Sequence, residues 1–267
     1  MFEKRSDTIP AQRRTFLLDH VRTRGAASIA ALADAVATSA STVRRDLDVL
    51  ERQGLVVRTH GGAAIPGLEG SVFEPDALLA EQLAADEKAA IGAAAAGMIE
   101  PGASVIFDSG STVREAARAA AAQRIPLTAV TNDLGTAQIL AATDTVRVLM
   151  PGGAVRPGSL TLLGEPGLGF YGDIHADIAF MGAHAVTDGW MSDTSLEIAA
   201  AKRAMIAAAR CTVLLVDGTK FRPPAFCRIA PLSLVDTVIT DPGAPPTALE
   251  SLRDAGVAVT LARVAAG

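Results

Sequence analysis

Asp108-Ser109-Gly110-Ser111-Thr112 stands between an apolar run that ends at Phe107 and a helical stretch that begins at Val113. Small hydroxyl residues and a glycine at such a junction let backbone amides close on an anion at the positive end of a helix. The pattern is that of a phosphate loop lacking the Walker lysine. Two more loops, Thr131-Asn132-Asp133 and Pro151-Gly152-Gly153, follow later apolar runs. In a parallel sheet all three fall at the carboxyl edge, where such sheets bind ligands. Glu197, with Lys202 five residues on, and Asp217, followed by Lys220, supply acids and amines able to hold the hydroxyls and charge of a sugar phosphate. Plainer readings stand beside these: a strand-to-helix turn, a first-turn partner of a helix dipole, a solvated lysine.

A second group of polar residues has the spacing of a nucleic-acid contact. Ser39 suits a helix N-cap and Gly54 a helix end, and between them Val43, Leu47 and Leu50 form an inward stripe. Ser41, Arg45, Asp48 and Arg52 then gather on the opposite face, with Thr42 and Arg44 flanking it. Arg45, central on that face, suits a base contact, and Arg44 on the flank suits a phosphate. Alternatively both arginines simply pair with Asp48 at helical spacing. Leu55 to Arg58 and Ala63 to Ile65 flank Gly61-Gly62 as a β-hairpin would, which makes a wing. The DNA-facing candidates are Ser28, Ser39, Ser41, Thr42, Arg44, Arg45, Arg58, His60 and Gly61. For the small-molecule site they are Asp108, Ser109, Gly110, Ser111, Thr112, Thr131, Asn132, Gly152, Gly153, Glu197, Lys202, Asp217 and Lys220.

The elements that must position these residues are legible in the periodicity. Pro10 to Arg24 reads as a helix with Phe16, Leu17, His20 and Val21 near one face, and Ser28 caps a short helix from Ile29 to Val36. With the helix after Ser39 and the hairpin, this is a winged helix-turn-helix over residues 1–65. Turn-forming and acidic residues at 66–81 predict a linker, with Leu78, Leu79 and Leu83 suggesting a bridging helix. From 82 to 267 strand-like runs (Ala103 to Phe107, Leu127 to Thr131, Val146 to Met150, Ile178 to Met181, Thr212 to Val216, Val235 to Thr240, Val257 to Leu261) alternate with helical stretches. That alternation predicts an α/β domain with a doubly wound, mostly parallel sheet.

Composition narrows the function classes. The chain carries a formal charge of −5, yet residues 1–62 hold ten basic against seven acidic residues, so the modest basic excess lies with the proposed DNA helix. Cys211 and Cys227 lack the spacing of a metal site or disulfide framework, and read as reduced core thiols. No metal-ligand spacing joins His20, His60, His175 and His184, so neither a metal nor another cofactor is expected. No hydrolase elbow or zinc-protease motif occurs. The first residues carry no apolar stretch of a secretory signal, and no apolar run is long enough for a membrane span. A cytoplasmic protein without membrane contact is expected.

Ser41 to Leu47, Leu50-Glu51, Gly54 and Arg58-Thr59-His60-Gly61-Gly62-Ala63 resemble the DNA-binding half of the DeoR family of bacterial transcriptional regulators. Lys88, Asp108 to Thr112, Thr131-Asn132, Gly152-Gly153, Gly164, Gly182-Ala183, Glu197, Lys202 and Asp217 with Lys220-Phe221 resemble its effector-binding half. The resemblance spans nearly the whole chain. It implies a regulator, usually a repressor of a carbohydrate-metabolism operon, that leaves its double-stranded DNA operator when a phosphorylated sugar binds. Such domains are similar to ribose-5-phosphate isomerases, so a working isomerase is the competing expectation, and an activator of the same architecture is another. Those enzymes carry Asp-Gly-Ala-Asp-Glu after a central strand, whereas Met181-Gly182-Ala183-His184-Ala185 stands here. Glycine and alanine remain, and the proton-transferring acids do not. Where relatives carry a basic residue about two turns before Lys88, this chain has Glu81 and Gln82. Reading a repeated or palindromic site takes two recognition helices, so a homodimer or homotetramer is expected.

Overall fold

Among the described residues of the smaller unit, three helices and three short strands close around one apolar centre. α1 (Pro10–Arg24), β1 (Ala26–Ser28), α2 (Ile29–Ala35), α3 (Ala40–Arg52), β2 (Val57–Thr59) and β3 (Gly62–Ala64) follow in that order. The computed structural model describes residues 10–24, 26–59, 61–64, 84–156 and 159–264. His60 and the expected linker with its bridging helix lie outside them. The chain divides between Leu83 and Ala84 into two compact units.

Val43, Leu47 and Leu50 of α3 are buried against Leu17, Leu18, Val21 and Leu32, as the stripe predicts. The face of α1 is rotated from expectation. Leu18 is inside, whereas Phe16 is 50% exposed and lies 6.2 Å from the His20 ring. Asp46, one position before Leu47, is also buried, and Arg13 Nε lies 2.6 Å from its carboxylate. A buried charge persists only when paired, so this bond fastens α1 to α3. The hairpin forms as predicted but gains a third strand, giving the antiparallel order β1-β3-β2. Gly62 lies in the middle strand, where a Cβ would fall 2.0 Å from the carbonyl oxygen of Ala27. Only glycine permits that approach.

The larger unit continues through α4 (Ala85–Ala96), β4 (Ser104–Phe107), α5 (Ser111–Gln123), β5 (Leu127–Thr131), α6 (Leu134–Ala141), β6 (Val146–Leu149), β7 (Ala154–Val155), β8 (Leu162–Leu163) and α7 (Gly167–Phe170). After it come β9 (Ala176–Met181), β10 (Ala185–Thr187), β11 (Trp190–Asp193), α8 (Leu196–Ala207), β12 (Ala209–Leu215), β13 (Cys227–Pro231), β14 (Thr237–Thr240), α9 (Pro246–Asp254) and β15 (Ala258–Leu261). Seven strands form a wholly parallel sheet in the order β15-β14-β12-β9-β4-β5-β6. Its inner strands are largely buried on both faces, as parallel sheets require, while the edge strand β15 is mostly exposed. One face packs under α4, α5 and α6, with the Phe107 and Phe180 rings edge-on at 5.6 Å. The other packs under α8 and α9.

A small antiparallel sheet, β10-β11-β13, and the β7-β8 hairpin were not expected from the sequence. β7, β8 and β10 are two or three residues long, too short for a periodic signal, and β11 and β13 mix polar residues and a proline into their apolar pattern. Both cysteines are free, Cys227 buried and Cys211 half-buried. Among the described residues, no helix is long and apolar enough to cross a membrane.

Candidate functional site

The chain leaves β4 for β5 and β6 on one side, then returns through β9 to pair on the other side of β4. That reversal makes a crevice at the carboxyl ends of β4 and β9. Phe107 pairs with both Thr131 and Phe180, so Asp108, Asn132 and the Met181-Gly182 step stand abreast at this edge.

Asp108 is buried in the crevice, where its Oδ2 accepts from the Gly182 amide at 2.9 Å and from Lys202 Nζ. Lys202 is 3% exposed, donates to the Gly182 carbonyl at 3.0 Å, and lies 3.8 Å from Asp193. The plainer reading of Lys202 as a solvated charge is overturned: it ties α8 to the strand ends. Asp108 Oδ1 is buried with no protein partner.

Gly110 follows at φ +139° and ψ 151°, a conformation essentially restricted to glycine, and it sets the start of α5. No side chain caps that helix, so its first amides remain available to an anion together with the Ser109, Ser111 and Thr112 hydroxyls.

A pocket of about 130 Å³ is lined by Asn132, Gly152, Leu162, Leu163, Tyr171, Glu197 and their neighbours. At roughly 10–15 Å³ per water, that is room for a small metabolite. No residue of the Asp108–Thr112 loop lines it, and its link to that loop is Asn132, abreast of Asp108. The structure thus brings Asn132, Gly152 and Glu197 together. Other candidates are turned elsewhere. Thr131 is fully buried, and its hydroxyl oxygen accepts from the Asp133 amide, serving the turn. Gly153 presses on β8, where a Cβ would fall 2.5 Å from the Leu163 carbonyl oxygen.

Asp217 and Lys220 belong to a charged group at the end of β12. Asp217 is buried, and its carboxylate accepts from the Thr219 amide at 3.0 Å. Burial pushes the Lys220 amine down to about 8, against the opposing pull of Asp217, with Arg222 and Lys88 adding like charge. Burial lowers Lys88 as well, while Asp217, Glu115 and Glu87 oppose it. His184 is held down to about 3 by burial and by the nearby Arg222, Lys220 and Lys202 charges, so it stays neutral in this cationic surrounding. Burial, with the Asp108 charge second, raises the Tyr171 phenol above its ordinary range.

Asp193, His184, Arg222 and Tyr171 were not foreseen as site residues. Asp193 ends a strand without a legible pattern, and Tyr171 sits in a 3-10 turn with no motif around it. Arg222, two residues beyond Lys220, was within reach of sequence reasoning as part of a basic cluster.

In the smaller unit, α3 begins as expected: Ser39 Oγ accepts from the Thr42 amide at 3.2 Å. Ser41, Arg44 and Arg45 are exposed, while Thr42 and Gly61 are half-buried. Asp48 does not pair with Arg44 or Arg45. Its carboxylate accepts from Arg58 Nη1 at 2.9 Å, and the same nitrogen donates to the Arg44 carbonyl at 3.2 Å. Arg58 therefore braces the wing on α3, and Arg44 and Arg45 face outward. Ser28 is also corrected: it is 6% exposed, and its hydroxyl oxygen accepts from the Ala31 amide at 3.0 Å. It caps α2 from inside the unit.

The model of the DeoR C-terminal sensor domain matches residues 83–242, and that of the DeoR-like helix-turn-helix domain matches residues 13–67. The HTH-type transcriptional regulator YgbI of Escherichia coli (strain K12) is 36% identical over 91% of this chain and 94% of its own length. The glycerol-3-phosphate regulon repressor of the same organism is 30% identical over 91% and 95%. Ribose 5-phosphate isomerase A from Methanocaldococcus jannaschii is 14% identical, covers 52% of this chain and 55% of its own, and aligns with a TM-score of 0.40.

Proposed function

This chain belongs to the DeoR family of transcriptional regulators, and on that premise we propose that it represses a carbohydrate-metabolism operon and releases the operator when a phosphorylated sugar binds its larger unit. The observation that carries the effector half is the uncapped start of α5 above the buried Asp108–Lys202 pair. An anionic phosphate is stabilised by free first-turn amides and the helix dipole. Lys220 and Lys88 add positive charge near the end of β12, and Glu197 and Asn132 offer acceptors for sugar hydroxyls. Two names among the relatives agree with this reading: glycerol-3-phosphate regulon repressor, and the repressor GlcR of Bacillus subtilis. At the positions of the isomerases' acid pair stand His184 and Ala185, so neither carboxylate of that pair is present.

On the DNA side, Ser39, Ser41, Thr42, Arg44, Arg45 and Gly61 form the contact surface, with Arg45 reading a base and Arg44 meeting phosphate. Ser28 and Arg58 hold that surface in place. Two copies of the chain are needed to read two half-sites, and light scattering checks for a dimer or tetramer. The decisive experiment is a DNA-release titration with a panel of sugar phosphates, using the full chain on its own upstream operator. Release by one of them, lost in Gly110→Val while operator binding is kept, supports the reading. Release that survives Gly110→Val sinks the loop assignment.

A further inference from the structure

We infer that the pocket lined by Asn132, Tyr171 and Glu197 selects for an effector whose far end is uncharged and rich in hydroxyl groups, and discriminates against a second anionic group. This rests on the proposed phosphate site and deepens it.

Three polar side chains line the pocket: Asn132, Tyr171 and Glu197. Asn132 is 2% exposed, and its amide nitrogen donates to the Leu162 carbonyl at 3.2 Å. That bond fixes which way the amide points and leaves Oδ1, buried and with no protein partner, as an acceptor. The Tyr171 hydroxyl is likewise buried without a partner. Glu197 brings a carboxylate to the first turn of α8, on the solvent side. The remaining lining is aliphatic or glycine and proline, with no lysine, arginine or histidine among the residues that form it.

Such a wall asks for donors. A hydroxyl hydrogen satisfies Asn132 Oδ1 or Glu197, and a hydroxyl oxygen accepts from Tyr171. A carboxylate or second phosphate finds no cation here and meets the Glu197 charge. Lys202, next in sequence to the lining Ala201, is already committed to Asp108 and the Gly182 carbonyl. Asn132 stands abreast of Asp108 across the β4–β5 pairing, which sets this wall next to the strand end that leads into α5.

The test is a binding panel at low salt on the full chain, read by thermal shift and calorimetry. The probes are aldose and ketose monophosphates, the matching phosphoaldonates, the matching bisphosphates, the unphosphorylated sugars and aldonates, and inorganic phosphate. The expected result is that the best monophosphate binds about tenfold or more tightly than its acid and bisphosphate counterparts. Glu197→Gln, a change at an exposed position, narrows that gap. A bisphosphate or phosphoaldonate that binds as tightly as its monophosphate overturns the inference and leaves the phosphate site standing. Unphosphorylated sugars binding as well as their phosphates, and still better than aldonates, overturn the phosphate site and keep the wall. No binding by any probe overturns both.

Discussion

Lys202 and Asp108 are the pair on which the crevice depends, a buried ion pair with Asp193 3.8 Å from the same amine. Removing Lys202 leaves the buried Asp108 charge uncompensated, which costs about 3–5 kcal/mol. Lys202→Met is expected to lower stability by that amount in urea titration, and a loss below about 1 kcal/mol would show the pair to be open to water. Lys220 behaves differently, since its amine titrates near 8. As pH rises from 7.5 through 9 it loses its charge, while a phosphate monoester already carries its full charge. Effector affinity should therefore fall across that window and stay flat in Lys220→Arg, as calorimetry at three pH values would reveal. The sign for stability is the reverse. A lysine whose native value lies below its unfolded one weakens the fold while both states are protonated, and that penalty fades as pH rises above about 8. In α3, Arg45→Ala should weaken operator binding more than binding to unrelated DNA. Equal loss on both would make Arg45 a phosphate contact only.

The elements are fixed at their tightest points by glycine and by single polar bonds. At Gly62 the middle strand touches the Ala27 carbonyl, so Gly62→Ala forces β1 away from β3 and should destabilise the DNA-binding unit, seen as lower operator affinity with effector binding intact. Operator affinity that stays unchanged would mean the sheet accommodates the methyl by sliding. Arg58 joins β2 to α3 through an exposed pair with Asp48, a class of bond worth about 0.2–1 kcal/mol. Arg58→Gln should then reduce operator affinity without changing its salt dependence. A slope lower by about one would mark Arg58 as a phosphate contact instead. The long elements were readable in advance because apolar residues recur along α3 and fill the strands from β4 to β15. The strands β7, β8 and β10 were not, since two or three residues have no period to detect, and β11 and β13 were not, since polar residues and a proline break their apolar pattern.

For the whole molecule the functional statement is a coupling between two units: effector binding at one must change operator affinity at the other, and by linkage operator DNA must change effector affinity by the same factor. Effector at 100 times its dissociation constant should stabilise the larger unit by about 2.7 kcal/mol. A matched pair of titrations, effector with and without operator, checks the reciprocity. Equal effector affinities in the two would rule out release by that ligand.

The sequence by itself determined the winged helix-turn-helix, the alternating α/β plan, the caps and stripe of α3, and the strand-to-helix junction at Asp108 to Thr112. These follow from local rules: period, capping chemistry and the placement of glycine between strand and helix. The same local rules put Ser28 on the DNA surface and left Lys202 open between solvent and site, and both were settled only by packing. Tertiary structure alone decided that Lys202 is buried on Asp108, that Arg58 holds Asp48 and leaves Arg44 and Arg45 outward, and that Asn132, Tyr171 and Glu197 meet in one pocket. Residues from β5, the turn after α7 and α8 are far apart in the chain, and only the pairing order of the sheet brings them together.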